Sequence, residues 1–272
     1  MTRLVHLTDL HFGAEREELV APLHSAVLGC DPDFIIVSGD LSHRARIGQF
    51  RRAMEFIESL QRPYMVVPGN HDIPLYNLPL RGISPFFSWK MTVPQGRGCF
   101  AQVGGIRLFG VNSADPWQWR GGVLREKDVA RVEAALRQPP AAAREGGGAL
   151  NLLVCHHPLE EPPGFERGET KGAQSGMARL AAAGLHGVFS GHLHHWQLGL
   201  GIASGQPRPL LQIQTGTALC GRMGEKEHGF TLIEQQPGGL AATPWVINER
   251  ALRFEAGISR QFRRQEGLWH LA

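Results

Sequence analysis

The chain has 272 residues, of which 42% are hydrophobic and 19% charged, against a usual charged share of about 25%; a chain of this length buries roughly three quarters of its unfolded surface. That composition excludes disorder as the dominant state and removes any need for a disulfide or metal to hold a core. A scattered net charge of +3 excludes a nucleic-acid footprint made of charge alone, and no apolar run reaches the roughly 18 residues of a membrane-spanning helix.

Arg3–Thr8 is a short, branched, apolar run that predicts a buried strand, and the same form recurs at Asp33–Ser38, Tyr64–Val67, Leu150–Cys155 and Gly187–Ser190. Between the first three, Glu17–Leu28 and Ile47–Leu60 place apolar residues at helical spacing. Strand alternating with helix implies βαβ units with right-handed crossovers. Residues 76–98 are rich in Pro, aromatics and Arg without a period, which predicts a long irregular loop over the site. Phe100–Val111 reads as a hairpin turning at Gly104-Gly105, Glu126–Arg137 as a helix stopped by Pro139-Pro140, and Ala141–Gly148 as a flexible surface connection. After Gly191 come strand-like runs at Leu198–Ile202, Pro209–Gln214, Phe230–Glu234 and Trp245–Glu255 with no helix between them, which suggests a second, largely antiparallel sheet. Arg260–Arg264 reads as a solvated helix face. The economical architecture is one domain over residues 1–272, with two packed sheets and flanking helices.

Histidine is the unusual residue. Seven of the 13, His11, His71, His156, His157, His192, His194 and His195, stand in short polar segments that follow predicted strands. The segments are Asp9-Leu10-His11, Gly39-Asp40, Gly69-Asn70-His71-Asp72, His156-His157-Pro158 and Gly191-His192-Leu193-His194. Each alone has a plain reading as a turn or an Asp cap, since Gly, Asn and Asp favour turns. In open α/β sheets, however, loops beyond the strand C-termini form the ligand crevice, so the five segments are expected to converge. They would bring together two carboxylates, an amide oxygen and several imidazoles. Such mixed N/O donors suit Mn, Fe, Zn or Co and suit Ca poorly. Seven ligands exceed the needs of one ion and fit two ions sharing a carboxylate, the arrangement used for in-line displacement at phosphorus. Two divalent ions offset by Asp9, Asp40 and a bridging hydroxide leave one positive charge to receive a phosphodiester monoanion.

In order and spacing, these five segments resemble the calcineurin-like metallophosphoesterases, from residue 4 to about residue 195. The phrases Ser38–Phe50 and Val67–Asn77, with Thr215-Gly216-Thr217, Arg222 and Gly224-Glu225, are similar to bacterial members related to class III cyclic nucleotide phosphodiesterases. The resemblance implies an α/β (α+β) fold, a four-layer αββα sandwich of two mixed β-sheets with flanking helices. It implies two divalent or trivalent metal ions, the first held by Asp9, His11, Asp40 and His194, the second by Asp40, Asn70, His156 and His192. It implies that His71 contacts the phosphate and protonates the leaving oxygen, with Asp72 orienting its ring, and that a metal-bridging hydroxide attacks a phosphodiester, a cyclic nucleotide or another small one. His43 stands where Ser/Thr phosphatases carry the second Asp of their Gly-Asp signature, which argues against a protein phosphatase.

Other readings keep the fold. A phosphomonoesterase or a DNA-end nuclease would use the same metals, and a metal-free scaffold would need none, although such a scaffold does not require all seven ligand positions to be present. His157 and His195 are expected beside the ligands or at the rim, with His195 touching substrate together with Asn70 and His71. Cys155 falls in the apolar phase of its strand and reads as a buried small hydrophobe, not a nucleophile. Trp117 and Trp119 beside Arg120, and Phe86, Phe87 and Trp89 beside Lys90, offer either base-stacking platforms or, more plainly, loop packing. The expected partner is a small phosphoester, a nucleotide among the candidates; no membrane partner is expected, nucleic acid is not indicated and homo-oligomerisation is left open. Four scattered cysteines without CxxC spacing and the early Asp9 point to a reduced, cytoplasmic setting.

Overall fold

The computed structural model describes residues 1–139, 149–160, 169–200, 209–225 and 227–272; the connection expected at Ala141–Gly148 lies outside them. Strands β1 (Arg3–Leu7), β2 (Phe34–Val37) and β3 (Tyr64–Val66) alternate with helices α1 (Glu17–Gly29) and α2 (Ile47–Ser59). Two short helices, α3 (Leu78–Ile83) and α4 (Phe87–Thr92), precede the hairpin β4 (Phe100–Val103) and β5 (Ile106–Gly110). Then follow α5 (Glu126–Leu136), β6 (Leu150–Val154), α6 (Ala173–Ala182) and β7 (Gly187–Ser190). The rest is β-structure: β8 (Gln197–Leu200), β9 (Leu211–Gln214), β10 (Gly229–Gln236), β11 (Gly239–Asn248), β12 (Arg253–Ala256), β13 (Arg260–Gln265) and β14 (Leu268–Leu271).

The strands form two mixed sheets. The first runs β14-β13-β11-β10-β1-β2-β3, with β12 on β11, and the second β4-β5-β6-β7-β9-β8. In the first, β1, β2 and β3 are mutually parallel; in the second, β5, β6, β7 and β9 are. Period-two alternation with apolar residues on both faces makes three cores out of these sheets. Val5, Leu7, Ile35 and Val37 face α1 and α2, where they meet Leu23, Phe50 and Ile57. Their neighbours Leu4 and Ile36 turn the other way and pack with Leu108, Leu152, Phe189 and Ile213 between the sheets. On the outer side of the second sheet, Phe109, Leu153 and Val188 meet Val129, Val132 and Leu180 of the last two helices. Two helix-covered faces and one sheet-on-sheet face give the αββα layering.

Four expectations need correction. Residues 76–98 contain α3 and α4, the second of which seats Trp89 on Phe50 of the α2 core. The late strands make no sheet of their own: β10 pairs antiparallel with β1 (Leu4 with Ile233, Val5 with Leu232), whereas β8 and β9 extend the second sheet. Trp245–Glu255 is not one run but a hairpin, the end of β11 turning into β12, with Val246 opposite Glu255 and Asn248 opposite Arg253. Arg260–Arg264 is strand β13, not a helix face: it pairs with β11 and β14 and buries Phe262 at 1% exposure while the adjacent Arg263 is exposed. Helix α6 was not among the expected elements; its Ala-rich sequence carries few large apolar residues to mark a face. Among the described residues no helix is long and apolar enough to cross a membrane.

Candidate metal centre

The C-terminal ends of β1, β2, β3, β6 and β7 open on one edge of the two sheets, and the histidine-bearing loops leave from them. Close backbone approach makes this possible. Gly39 has φ +98°, and a Cβ there would stand 2.7 Å from His156 Nδ1; a methyl at Gly191 would overlap the Thr8 hydroxyl. Five predicted ligand residues themselves adopt left-handed backbone: Asp9 (φ 54°), His11 (48°), Asp40 (53°), His192 (72°) and His194 (54°). Each such residue costs on the order of 1–2 kcal/mol, so the surrounding contacts must hold it. They do: His192 N donates to Asp9 Oδ2 at 3.0 Å, Thr8 Oγ1 donates to the same oxygen at 2.7 Å, and Thr217 Oγ1 donates to the Asp9 carbonyl at 2.8 Å.

Two donor groups share one carboxylate. On one side, His194 Nε2 is 3.0 Å from Asp9 Oδ1 and 3.3 Å from His11 Nε2. His11 Nε2 in turn is 3.4 Å from Asp40 Oδ2. On the other, His156 Nε2 is 3.4 Å from that same Asp40 oxygen and 3.1 Å from Asn70 Oδ1. The His192 ring lies 5.1 Å from His156, with its Nε2 buried and lacking a hydrogen-bond partner. Asp40 Oδ1 accepts the His71 N–H at 2.8 Å.

This donor set fits metal ions. An ion with bonds of about 2.0–2.1 Å spaces neighbouring ligands about 3.0–3.4 Å apart, and the Asp9, His11, Asp40 and His194 atoms lie at that spacing. The orientation of His156 fits as well: its Nδ1 faces the Ser38 carbonyl at 2.9 Å, which as an N–H donor leaves the Nε2 lone pair toward Asp40. His194 Nδ1 lies 2.9 Å from Glu225 Oε2, the carboxylate–histidine pairing that orients metal-binding rings.

The electrostatics divide the four rings into two pairs. Burial pushes His11 down to about 4 and His192 to about 3, keeping both rings neutral as ligands require. Burial is the strongest influence on His156 and works against its charge, but Asp40, Asp9 and the Ser38 carbonyl together outweigh it and hold that ring up at about 9, so binding an ion there releases a proton. His194 is raised well above its ordinary range by Asp9 against the same burial. Asp9 and Asp40 both stay ionised despite burial, stabilised first by His194 and His156 respectively. The two anions are thus crowded by imidazoles at zero to 9% exposure.

His71 sits in a single 3₁₀ turn, Asn70–Asp72. Its Nδ1 faces the His43 carbonyl at 3.0 Å and its ring stacks on His43 at 5.5 Å, which turns Nε2 toward Arg222 Nη1 at 3.4 Å. The expectation for Asp72 is therefore corrected. Its buried carboxylate accepts from Leu41 N, Ser42 N, Ser42 Oγ and Gly69 N at 2.9 to 3.2 Å, and it clamps the β2 and β3 loops together instead of orienting the His71 ring. His195 is also placed differently: its Nδ1 pairs with Glu227 at 2.9 Å, and it does not line the cavity beside the donors. His157 is buried behind the centre, with Nδ1 2.9 Å from Ser113 Oγ and its ring 4.6 Å from His192. Cys155 is fully buried and its thiol is pushed up to about 12, so it carries no thiolate.

The cavity above the donors has a volume of about 430 Å³ and is lined by Asp40, Asn70, His71, His192 and His194, with Trp119, Arg120 and Arg222. Sequence reasoning missed the part Glu225 and Thr217 play behind the ligands. Both lie in the Thr215–Glu225 stretch whose similarity was noted, but only folding shows that they touch His194 and Asp9.

Residues 2–196 match the calcineurin-like phosphoesterase family. A probable cyclic nucleotide phosphodiesterase of Synechococcus sp. is 27% identical over 207 residues, 70% of this chain and 72% of that protein. The glycerophosphodiester phosphodiesterase GpdQ of Enterobacter lignolyticus is 25% identical over 208 residues, 71% of this chain and 70% of that one. Among solved structures, the purple acid phosphatase PPD1 of yellow lupin (Lupinus luteus) superposes with a TM-score of 0.65 at 15% identity, covering 95% of this chain. This chain spans only 53% of that phosphatase, so the likeness is one of fold.

Proposed function

The chain belongs to the calcineurin-like phosphoesterase family, whose members bind metal ions, and within it we propose a dinuclear, metal-dependent phosphodiesterase acting on a small phosphodiester. One observation carries the reading: a single oxygen, Asp40 Oδ2, lies 3.4 Å from both His11 Nε2 and His156 Nε2, as a carboxylate shared between two ions must. Asp9, His11, Asp40 and His194 would hold one ion, and Asp40, Asn70, His156 and His192 the other. A pair of divalent ions supplies Lewis acidity toward phosphoryl oxygens and lowers the pKa of a water from about 15.7 toward 7.

The chain's own residues do the rest. Arg222 and Arg120 set positive charge at the cavity wall, where a phosphodiester monoanion is received. His71, fixed through Nδ1 by the His43 carbonyl, presents Nε2 to the same space and gives a proton to the departing ester oxygen. Asp72 keeps Asp40 and His71 in register by tying their two loops. Relatives named as phosphodiesterases support a diester substrate over a monoester.

The test is hydrolysis of bis(4-nitrophenyl) phosphate, 4-nitrophenyl phosphate and adenosine 3′,5′-cyclic monophosphate by protein supplied with Mn²⁺. The diesters are expected to turn over faster than the monoester. His71→Ala should retain its metal and lose about two to four orders of magnitude in kcat, the usual weight of a general acid. Faster monoester turnover, or full activity in His71→Ala, would overturn the assignment.

A further inference from the structure

Trp119 stands at the wall of the same cavity, 58% exposed. Singly exposed apolar side chains are common on protein surfaces, so what distinguishes this one is its place at the cavity wall and the way it is held. One face is already occupied: the Arg81 guanidinium lies over the ring at 4.4 Å from its centroid. Arg81 is itself buried at 4% exposure and donates to the Pro116 carbonyl at 2.6 Å and the Pro74 carbonyl at 3.0 Å. It therefore pins the Trp119 loop to the segment before α3 and fixes the indole plane. With Arg81 on one face, the exposure that remains belongs to the other face and the edge. Trp117, two residues away, packs toward α3 near Gly82 and does not line the cavity. Of the two tryptophans, only Trp119 shares a wall with the phosphate-facing Arg120, Arg222 and His71.

We propose that Trp119, backed by Arg81, is a stacking platform for a heteroaromatic base, so that the favoured substrates are phosphodiesters bearing a nucleobase and not simple alkyl diesters. This rests on the phosphoesterase reading of the centre beside it. The cavity volume of about 430 Å³ falls within the range of about 300–1,000 Å³ of sites that enclose small ligands. Base-on-aromatic stacking needs only a fixed, open π-face, and any base supplies the partner face. The anionic end of the ligand would meet Arg120 and Arg222 while the ring lies on Trp119, which spans the two chemical ends of a nucleotide.

The test compares two phosphates that differ only in the ring. Binding of adenosine 5′-monophosphate and of ribose 5-phosphate to the Mn²⁺-supplied protein is measured by calorimetry. The nucleotide is expected to bind about 5- to 150-fold more tightly, the usual weight of one stacked base. Trp119→Ala should bring the ratio close to one, Trp119→Phe should keep most of it, and Trp117→Ala should leave it as in the wild type. A ratio of one in the wild type, including no binding of either, or an unchanged ratio in Trp119→Ala, would overturn the platform. Hydrolysis is read separately: absent turnover of every ester with the ratio intact rejects the enzyme reading alone, and intact turnover with no ratio rejects the platform alone.

Discussion

Replacing Asp40 by Asn keeps the shape of the bridging side chain and removes its charge. Asp40 is 1% exposed; the amide oxygen can still accept the His71 N–H now held at 2.8 Å, so the loop need not move. What changes is the oxygen that lies 3.4 Å from both His11 and His156. An ion present at 100 times its Kd stabilises the folded state by about 2.7 kcal/mol, so two ions give about 5.4 kcal/mol. At about 2–4 °C per kcal/mol for a chain of this size, Mn²⁺ should raise the midpoint of thermal unfolding by about 10–20 °C over protein held in chelator. Loss of a mere supporting partner weakens metal affinity about 10–100-fold; loss of a shared anionic ligand should reach at least the upper figure at both positions. At the same Mn²⁺ concentration each ion is then near its Kd and contributes only about 0.4 kcal/mol, which leaves a shift of about 2–3 °C. Scanning fluorimetry with and without Mn²⁺, paired with metal analysis of the dialysed protein, reads both quantities. An Asp40→Asn protein that keeps two ions and the full thermal shift would refute the shared-carboxylate geometry.

Glu225→Gln removes the charge beside His194 Nδ1 and should weaken Mn²⁺ binding about 10–100-fold while leaving the metal-free unfolding midpoint within a degree or two, measured by titration calorimetry. Leu152→Ala, at 1% exposure between the sheets, should cost about 2–5 kcal/mol, seen as a lower urea midpoint at constant m. His186 Nδ1 accepts the Asn151 N–H at 2.9 Å, so protonation breaks that bond. Burial, then Arg264, lower its pKa to about 3, against about 6.5 in the unfolded chain. The unfolded state therefore binds more protons between those values, and stability falls as pH drops below about 6.5. Between pH 7.5 and 5.5 this group should remove up to about 1 kcal/mol, and His186→Asn should flatten that part of the urea-midpoint profile. An unchanged profile in the variant would assign the acid sensitivity elsewhere.

Much of the centre was legible in the chain because its chemistry is local. Asp9, His11, Asp40, Asn70, His156, His192 and His194 are polar residues that directly follow buried apolar strands, and a strand C-terminus in a parallel arrangement is where loops meet. Short, continuous apolar runs likewise marked β1, β2 and β6 as buried strands. Pairing partners were not legible: β10 and β9 are both apolar runs, yet one adds to β1 and the other to β7, since such a run records how a strand is buried and not which edge it meets. The same blindness hid β13, whose single buried Phe262 sits among arginines.

The order of the polar segments determined which donors exist and at which strand ends they hang. Only the packing of the two sheets decided how those donors combine. It set Asp40 between His11 and His156, gave Asp72 to backbone N–H groups and not to the His71 ring, and turned Trp119 to the cavity while Trp89 went to the core. Those outcomes depend on contacts across about 30 to 185 positions of sequence, where small differences in backbone approach choose the partner. No spacing along the chain encodes them.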